Sequence, residues 1–158
     1  MIAAIQNDNG IGYQGNLIHS IKNDMKHFVD QTTGHTVIMG RKNWETIPEK
    51  YRPFKNRQNI VISRDDSYLA EGALVVSSLE EAIKKSNEKK IYIIGGGQIY
   101  NLALPYADTL DITHVDADEA ADVFFPTFTD AFKLTSYSEE IYDEKSGFKY
   151  QFQIWKRK

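Results

Sequence analysis

Short apolar runs rich in Val and Ile recur along the chain: Met1 to Ile5, Thr36 to Met39, Asn59 to Ser63, Leu74 to Val76, Ile91 to Ile94 and Leu110 to Val115. Runs without polar alternation read as strands buried on both faces. Between several of them the period becomes helical. Met25, Phe28, Val29 and Thr32 share one helical face, Trp44 and Ile47 form a shorter one, and Ile99, Leu102 and Ala103 continue from glycines 95 to 97. Ser78-Leu79-Glu80-Glu81 has capping-box spacing ahead of Ala82 and Ile83. Strand and helix thus alternate, which predicts an α/β fold on a mostly parallel, twisted central sheet flanked by helices. The end of the chain differs: Phe132 to Ile141 and Gly147 to Trp155 both alternate, and Asp143-Glu144-Lys145-Ser146-Gly147 supplies turn chemistry between them. That predicts a C-terminal antiparallel hairpin. No repeat, low-complexity tract or linker divides the chain, so residues 1–158 read as one domain.

Composition narrows the function. A chain 41% hydrophobic and 26% charged belongs with folded globular proteins rather than disordered ones. With no cysteine, a disulfide framework, a thiolate metal site and a cysteine nucleophile are excluded. Any redox chemistry must come from a cofactor. The first basic residue is Lys22, and no apolar stretch approaches membrane-spanning length, so a cytoplasmic location is expected. The net charge of −3 gives no support to nucleic-acid coating. Its distribution is uneven. Residues 41 to 64 carry seven basic residues against two acidic ones, whereas residues 101 to 132 carry seven acidic residues and no basic one. An acidic protein with one basic stretch suits a small anionic ligand, or simply a solvated charged face.

Two strand ends sharpen the anion reading. Ile94-Gly95-Gly96-Gly97-Gln98-Ile99-Tyr100 runs from a buried strand through glycines into a helix, where backbone N–H groups can approach a phosphate. It is not the dinucleotide fingerprint, because Tyr100 stands where the third glycine belongs, and a tight turn without a ligand fits equally. Gly40-Arg41-Lys42-Asn43 repeats the arrangement with two cations at a helix start, where they oppose the helix dipole unless an anion compensates. Ser63-Arg64 ends a third strand. Three such ends fit a nucleotide at the carboxyl edge of a sheet.

Asp24 opens the helix whose inner side is expected to be Met25, Phe28 and Val29. It can serve as a dipole or capping residue, or face a cleft and hold two N–H donors of a flat heterocycle. No Ser-His-Asp arrangement, metal-spaced histidine pair or Walker-type loop competes with it. His19, His27, His35 and His114 are scattered and read as structural or exposed.

Taken together, these segments resemble dihydrofolate reductase over essentially the whole chain. The matching pieces are Ile2-Ala3-Ala4, Asn9-Gly10-Ile11-Gly12, Gly15-Asn16-Leu17, Asp24-Met25-Lys26-His27-Phe28, Val37-Ile38-Met39-Gly40-Arg41 and Trp44-Glu45-Thr46-Ile47. They continue with Arg57 to Ser63, Ile94 to Tyr100, Thr113-His114-Val115-Asp116 and Phe124-Phe125-Pro126. The resemblance implies an oxidoreductase of one-carbon metabolism that reduces 7,8-dihydrofolate to tetrahydrofolate with NADPH, and is an antifolate target. It also implies a monomer with no nucleic-acid or membrane partner.

By the same resemblance, Asp24 binds the pterin amino group and ring N–H, with Thr113 hydrogen-bonded behind it. Ala4, Met25, Phe28, Ile47, Phe54 and Ile94 are placed around the substrate rings, and Arg57 on the α-carboxylate of the glutamate tail. Arg41, Ser63 and Arg64 are candidates for the 2′-phosphate of NADPH. Lys42, Asn43 and Gly96, Gly97, Gln98 and Ile99 would surround its pyrophosphate, with Ile11, Gly40, Gly95 and Tyr100 also on the cofactor side. The family carries a cis peptide at the position of Gly95-Gly96, and Gly10 to Asn16 resembles its mobile lid over nicotinamide. Departures from the pattern are His19 in place of a Trp that holds an active-site water, Ile18 and Lys22 in place of prolines, Gln98 in place of a basic residue and Ala121 where some relatives have glycine. His19 is expected to replace the Trp hydrogen bond in part. Two rival readings are a same-fold reductase of a pyrimidine or pteridine intermediate, against which Asp24 with Phe28 speaks, and a non-catalytic nucleotide-binding protein.

Overall fold

A computed structural model describes residues 1–158. In chain order the elements are β1 (Ile2–Ile5), β2 (Gly10–Tyr13), β3 (Asn16–Leu17), α1 (Lys22–Thr32), β4 (Thr36–Gly40), α2 (Arg41–Thr46), β5 (Gln58–Ile62), β6 (Leu74–Val76), α3 (Leu79–Lys85), β7 (Ile91–Gly95), α4 (Gly97–Ala103), β8 (Thr109–Val115), β9 (Val123–Phe124), β10 (Phe132–Tyr137), β11 (Ile141–Tyr142) and β12 (Lys149–Arg157). Single 3-10 turns follow α2 at Glu49–Tyr51 and α4 at Leu104–Tyr106. The chain divides into two compact units, Met1–Phe28 with Leu104–Lys158, and Val29–Ala103. No helix is long and apolar enough to cross a membrane.

In the first unit β8 is flanked by β1, which runs parallel to it, and by β12, which runs antiparallel. Beyond β12 lies β10, also antiparallel, with a register shift between Leu134 and Ser136. This sheet is therefore mixed, not the mostly parallel one that the sequence predicts. The antiparallel part is the C-terminal hairpin: Gly147 N–H donates to the Asp143 carbonyl at 2.8 Å with Gly147 at φ +80°, a turn so tight that β12 runs antiparallel to β11, and β12 joins this hairpin to the parallel β1–β8 pair. Leu110, Ile112 and Val115 of β8 are buried, and Phe128 meets both Phe125 and Trp155 edge-to-face at 5.7 and 4.9 Å. Arg157 reaches back from the end of β12 to the carbonyls of Ala107 and Leu104.

The segment Gly10 to Asn16, which resembles a mobile lid, is a short hairpin of β2 with β3, and β9 pairs with the other edge of β2. Gln14 and Gly15 form its turn with φ +49° and +82°, both left-handed. Gly10 is required by close approach, since a Cβ there would lie 2.7–2.8 Å from Ala121, Asp8 and Gln6 side-chain atoms.

In the second unit the strand order is β6-β5-β4-β7 with every pairing parallel, and β4 is buried along its whole length. This ladder is the parallel sheet that the uninterrupted apolar runs predict. Ser78 caps α3, its Oγ accepting from Glu81 N–H at 3.1 Å. The return bond of the capping box lands one residue early, on Ser77, whose N–H and hydroxyl both donate to Glu81 Oε2. In α4 the buried residues are Ile99, Tyr100 and Ala103, while Leu102 faces solvent. Tyr100 replaces Leu102 on the expected inner face because its ring packs on Gly95.

Candidate active site

Within the first unit the candidate site is a carboxylate centre. Lys22 to Thr32 form α1 with Asp24 in its first turn, where a carboxylate complements the helix dipole. Its side chain does more than cap: Thr113 Oγ1–H donates to Asp24 Oδ1 at 2.6 Å, tying α1 to β8. Ala4 on β1 is the register partner of Thr113, and Phe152 on β12 is its partner on the other side. Asp24, Thr113 and Ala4 are thus brought together. Burial drives the Asp24 carboxyl above the usual carboxylate range; the Thr113 bond and the charge of His27 oppose this, and Asp111 adds to it.

The apolar stripe of α1 is not the inner face that its periodicity predicts. Met25 is 46% exposed and Val29 43%, Phe28 is half-buried, and it is Thr32 that is fully buried. Helical spacing shows that these residues share a side, and a stripe shaped for a ligand has the same period as one shaped for a core.

His19 is buried and its Nε2 lies 3.0 Å from Gln6 Oε1. Gln6 donates through Nε2 to Asp8 and to the Glu119 carbonyl and accepts at Oε1 from Glu119 N–H, so the oxygen faces the imidazole and His19 must carry its proton on Nε2. Burial lowers the His19 pKa, with Glu119 pulling the other way, which favours the neutral ring. Ile11, on β2, is buried and its carbonyl accepts from Ile18 N–H.

The second unit, taken by itself, gathers the groups suited to an anion. Gly40 ends β4, Gly95 ends β7 and Ser63 follows β5, and these strands are neighbours in the parallel ladder, so the three strand ends singled out in the sequence lie side by side. Gly40 is packed so closely that a Cβ would sit 2.9 Å from Ile99 Cγ1. The Gly95-Gly96 peptide is cis, and Gly95 has φ +121°. A Cβ built on Gly96 would meet no atom within 4 Å, which leaves its peptide open to an approaching group. Asn43 Nδ2 bonds the carbonyl of buried Ile94 at 3.4 Å and so joins α2 to the end of β7. Arg41, Lys42, Arg64 and Gln98 are exposed. The anion expected to compensate Arg41 is partly supplied from within: Glu45 lies 3.4 Å away, one turn along α2, and the Tyr68 ring is 5.7 Å from the guanidinium. The Ser63 hydroxyl accepts from Asp65 N–H at 3.1 Å. A surface cavity of about 830 Å³ opens beside Ser63, but Asp65, Asp66, Glu71 and Glu81 line it, and four carboxylates do not suit a phosphate.

Arg57 is fixed in a loop ahead of β5. Its Nε donates to the Lys55 carbonyl at 2.9 Å, its Nη1 to Thr32 Oγ1 at 3.0 Å, and its guanidinium lies 4.8 Å from the Phe54 ring. Burial lowers its pKa. Ile47 closes α2, donating its N–H to Trp44. Asn59, by sequence only the first residue of a predicted strand, builds this loop: it is buried, accepts from Phe54 N–H at 2.9 Å, and donates to the carbonyls of Phe54 and Arg57. A polar residue within the apolar run Asn59 to Ser63 was the available signal. Asn59→Ala should leave buried backbone groups unpaired and cost about 2 kcal/mol, a Tm lowered by roughly 4–8 °C, read in a thermal melt. A melt unchanged from wild type would show that the loop holds itself.

Residues 1–157 match the model of a protein family described as Dihydrofolate reductase. The chain is 38% identical over 150 residues to a dihydrofolate reductase of Mycobacterium tuberculosis, covering 93% of this chain and 90% of that one. It is 36% identical over 150 residues to the dihydrofolate reductase of Bacillus subtilis, covering 94% and 88%. With that of Neisseria gonorrhoeae the identity is 43% over 127 residues, covering 80% and 77%.

Proposed function

The chain belongs to the dihydrofolate reductase family, and from that membership we propose that it reduces 7,8-dihydrofolate to 5,6,7,8-tetrahydrofolate with NADPH, hydride passing to C6 and a proton to N5. The observation that carries this reading is the Asp24 carboxylate, held by Thr113 at 2.6 Å and driven by burial toward a high proton affinity. Hydride addition builds negative charge on the pterin. A fixed carboxylate that accepts from the pterin amino group and ring N–H stabilises the protonated, cationic ring and so favours protonation at N5, with water as the donor. Thr113 fixes the orientation of the Asp24 carboxylate through its bond to Oδ1. Met25 and Phe28 on α1, with Ala4, offer apolar surface to the rings, as do Ile47, Phe54 and Ile94 by their positions in the family pattern. Arg57 takes the α-carboxylate of the glutamate tail, its guanidinium oriented by Thr32 and Lys55.

The cofactor supplies the hydride. The chemistry of the second unit fits a dinucleotide phosphate: Gly40 and Gly95 allow close backbone packing, the Gly96 peptide is open, and exposed cations stand at the same strand ends. Lys42, Asn43 and Gly96 to Ile99 would hold the pyrophosphate, and Arg41, Ser63 and Arg64 the 2′-phosphate, with Ile11 and Tyr100 also on the cofactor side. His19, through Gln6, holds the segment leading to β2 rather than standing alone.

The deciding assay is NADPH consumption by the purified protein on addition of dihydrofolate, blocked by methotrexate. Turnover of another pteridine or a pyrimidine alone, or NADPH binding without turnover, would overturn the proposal. Arg41→Ala should weaken NADPH about tenfold or more, the equivalent of one charge-assisted hydrogen bond, while leaving NADH unchanged in fluorescence titrations. An equal loss for both cofactors would move Arg41 away from the 2′-phosphate.

A further inference from the structure

Beside Asp24 and Thr113 stands a second, charged rung that the proposed reaction does not use. His27 lies three residues after Asp24 on α1, and Asp111 two residues before Thr113 on β8, so each pair shares one face of its element. His27 Nε2 is 2.9 and 3.1 Å from the two oxygens of Asp111. Asp111 is only 6% exposed, and the His27 ring is stacked at 4.4 Å on Phe152, the cross-strand partner of Thr113. A carboxylate so buried and met by one nitrogen on both oxygens is best satisfied by an imidazolium, whose charge then lies one helical turn from Asp24.

We infer that His27 and Asp111 are a positioning pair for Asp24: they hold α1 against β8 and set the pH at which the Asp24 carboxylate gains its proton. The charged groups that face Asp24 are His27 from its own helix and Asp111 from β8; β12 presents Phe152 and β1 presents Ala4, both apolar, and Lys22 and Lys26 on α1 are exposed. The pair brings one cation and one anion to a site of low polarity, so removing either unbalances Asp24 whereas removing both does not. The inference rests on Asp24 as the pterin-binding carboxylate for its functional meaning, but not for its test.

That test is direct titration of the Asp24 carboxyl by carbon NMR in the substrate-free protein. His27→Gln keeps a donor to Asp111 and deletes the cation, so Asp24 should titrate higher by about half a pH unit or more, a threefold gain in proton affinity. The double variant His27→Gln with Asp111→Asn keeps a neutral hydrogen bond, leaves no unpaired charge even if the single variant folds poorly, and should titrate close to wild type. An Asp24 titration unmoved in the single variant, or moved equally in the double one, would overturn the inference. The pH limb of dihydrofolate turnover should follow the NMR midpoint. A midpoint that moves while the limb stays would uphold the coupling and instead remove Asp24 from the chemistry.

Discussion

Asp24→Asn is expected to lower kcat/KM for dihydrofolate by about 10²–10⁴-fold, the range that a positioned proton-handling group commands. The substitution is nearly isosteric, and its amide oxygen can still accept from Thr113, which now donates at 2.6 Å. What disappears is the negative charge that stabilises a protonated pterin. The loss should deepen as pH rises, because unassisted protonation of N5 becomes tenfold scarcer with each unit, and NADPH affinity should not change. Equal rates for wild type and variant at high pH would take Asp24 out of the mechanism.

The same variant should be more stable than wild type at neutral pH. Burial raises the Asp24 pKa, so the folded state binds that proton more tightly than the unfolded chain does. Below the unfolded value both states are protonated and nothing is lost. As pH climbs through the folded value the ionised group becomes a penalty on folding, complete above it. Asn carries no such penalty, and relief of about 1 kcal/mol corresponds to about 2–4 °C in Tm for a chain of this length, vanishing in acid. A melt that gains nothing at pH 7 would contradict the burial penalty.

Arg57→Lys should raise the KM for dihydrofolate by about 30-fold, the equivalent of about 2 kcal/mol for a truncated charge pair, with kcat nearly constant. Lysine keeps the charge and loses the planar fork, so the defect isolates geometry. Thr32 Oγ1 and the Lys55 carbonyl now aim the guanidinium, at 3.0 and 2.9 Å, and an ammonium cannot satisfy both and still present two parallel donors. A pteridine substrate without the glutamate tail should be reduced equally by both forms. If the variant loses that substrate as well, Arg57 supports the loop rather than the tail.

Residues whose meaning is local were readable from the chain. Ser78 announces its cap, the apolar runs announce strands, and the glycines at 40 and 95 to 97 sit at strand ends as expected. Asp24 stands out locally as a carboxylate at the start of an apolar helix face, but its bond to Thr113 spans 89 residues and is implied only by the family resemblance. His27 and Asp111 are 84 residues apart, and nothing in either neighbourhood marks them as partners. Periodicity misassigned Met25 and Val29 because it reports a shared face and not what covers that face. Gly10 to Asn16 enters only through its resemblance to a mobile lid, which names no strand, whereas Gly15 turns a hairpin there.

The first unit is discontinuous in sequence, and that shapes its synthesis. Ile2 pairs with Asp111, more than a hundred residues downstream, and β8 is completed on its other edge by β12. A nascent chain leaving the ribosome can close the parallel ladder of Val29–Ala103 while its own amino-terminal strand still waits for a neighbour. Vectorial translation therefore leaves the apolar β1 without its sheet partner until β8 has been made, and a slow or interrupted finish exposes it to chaperones or to aggregation.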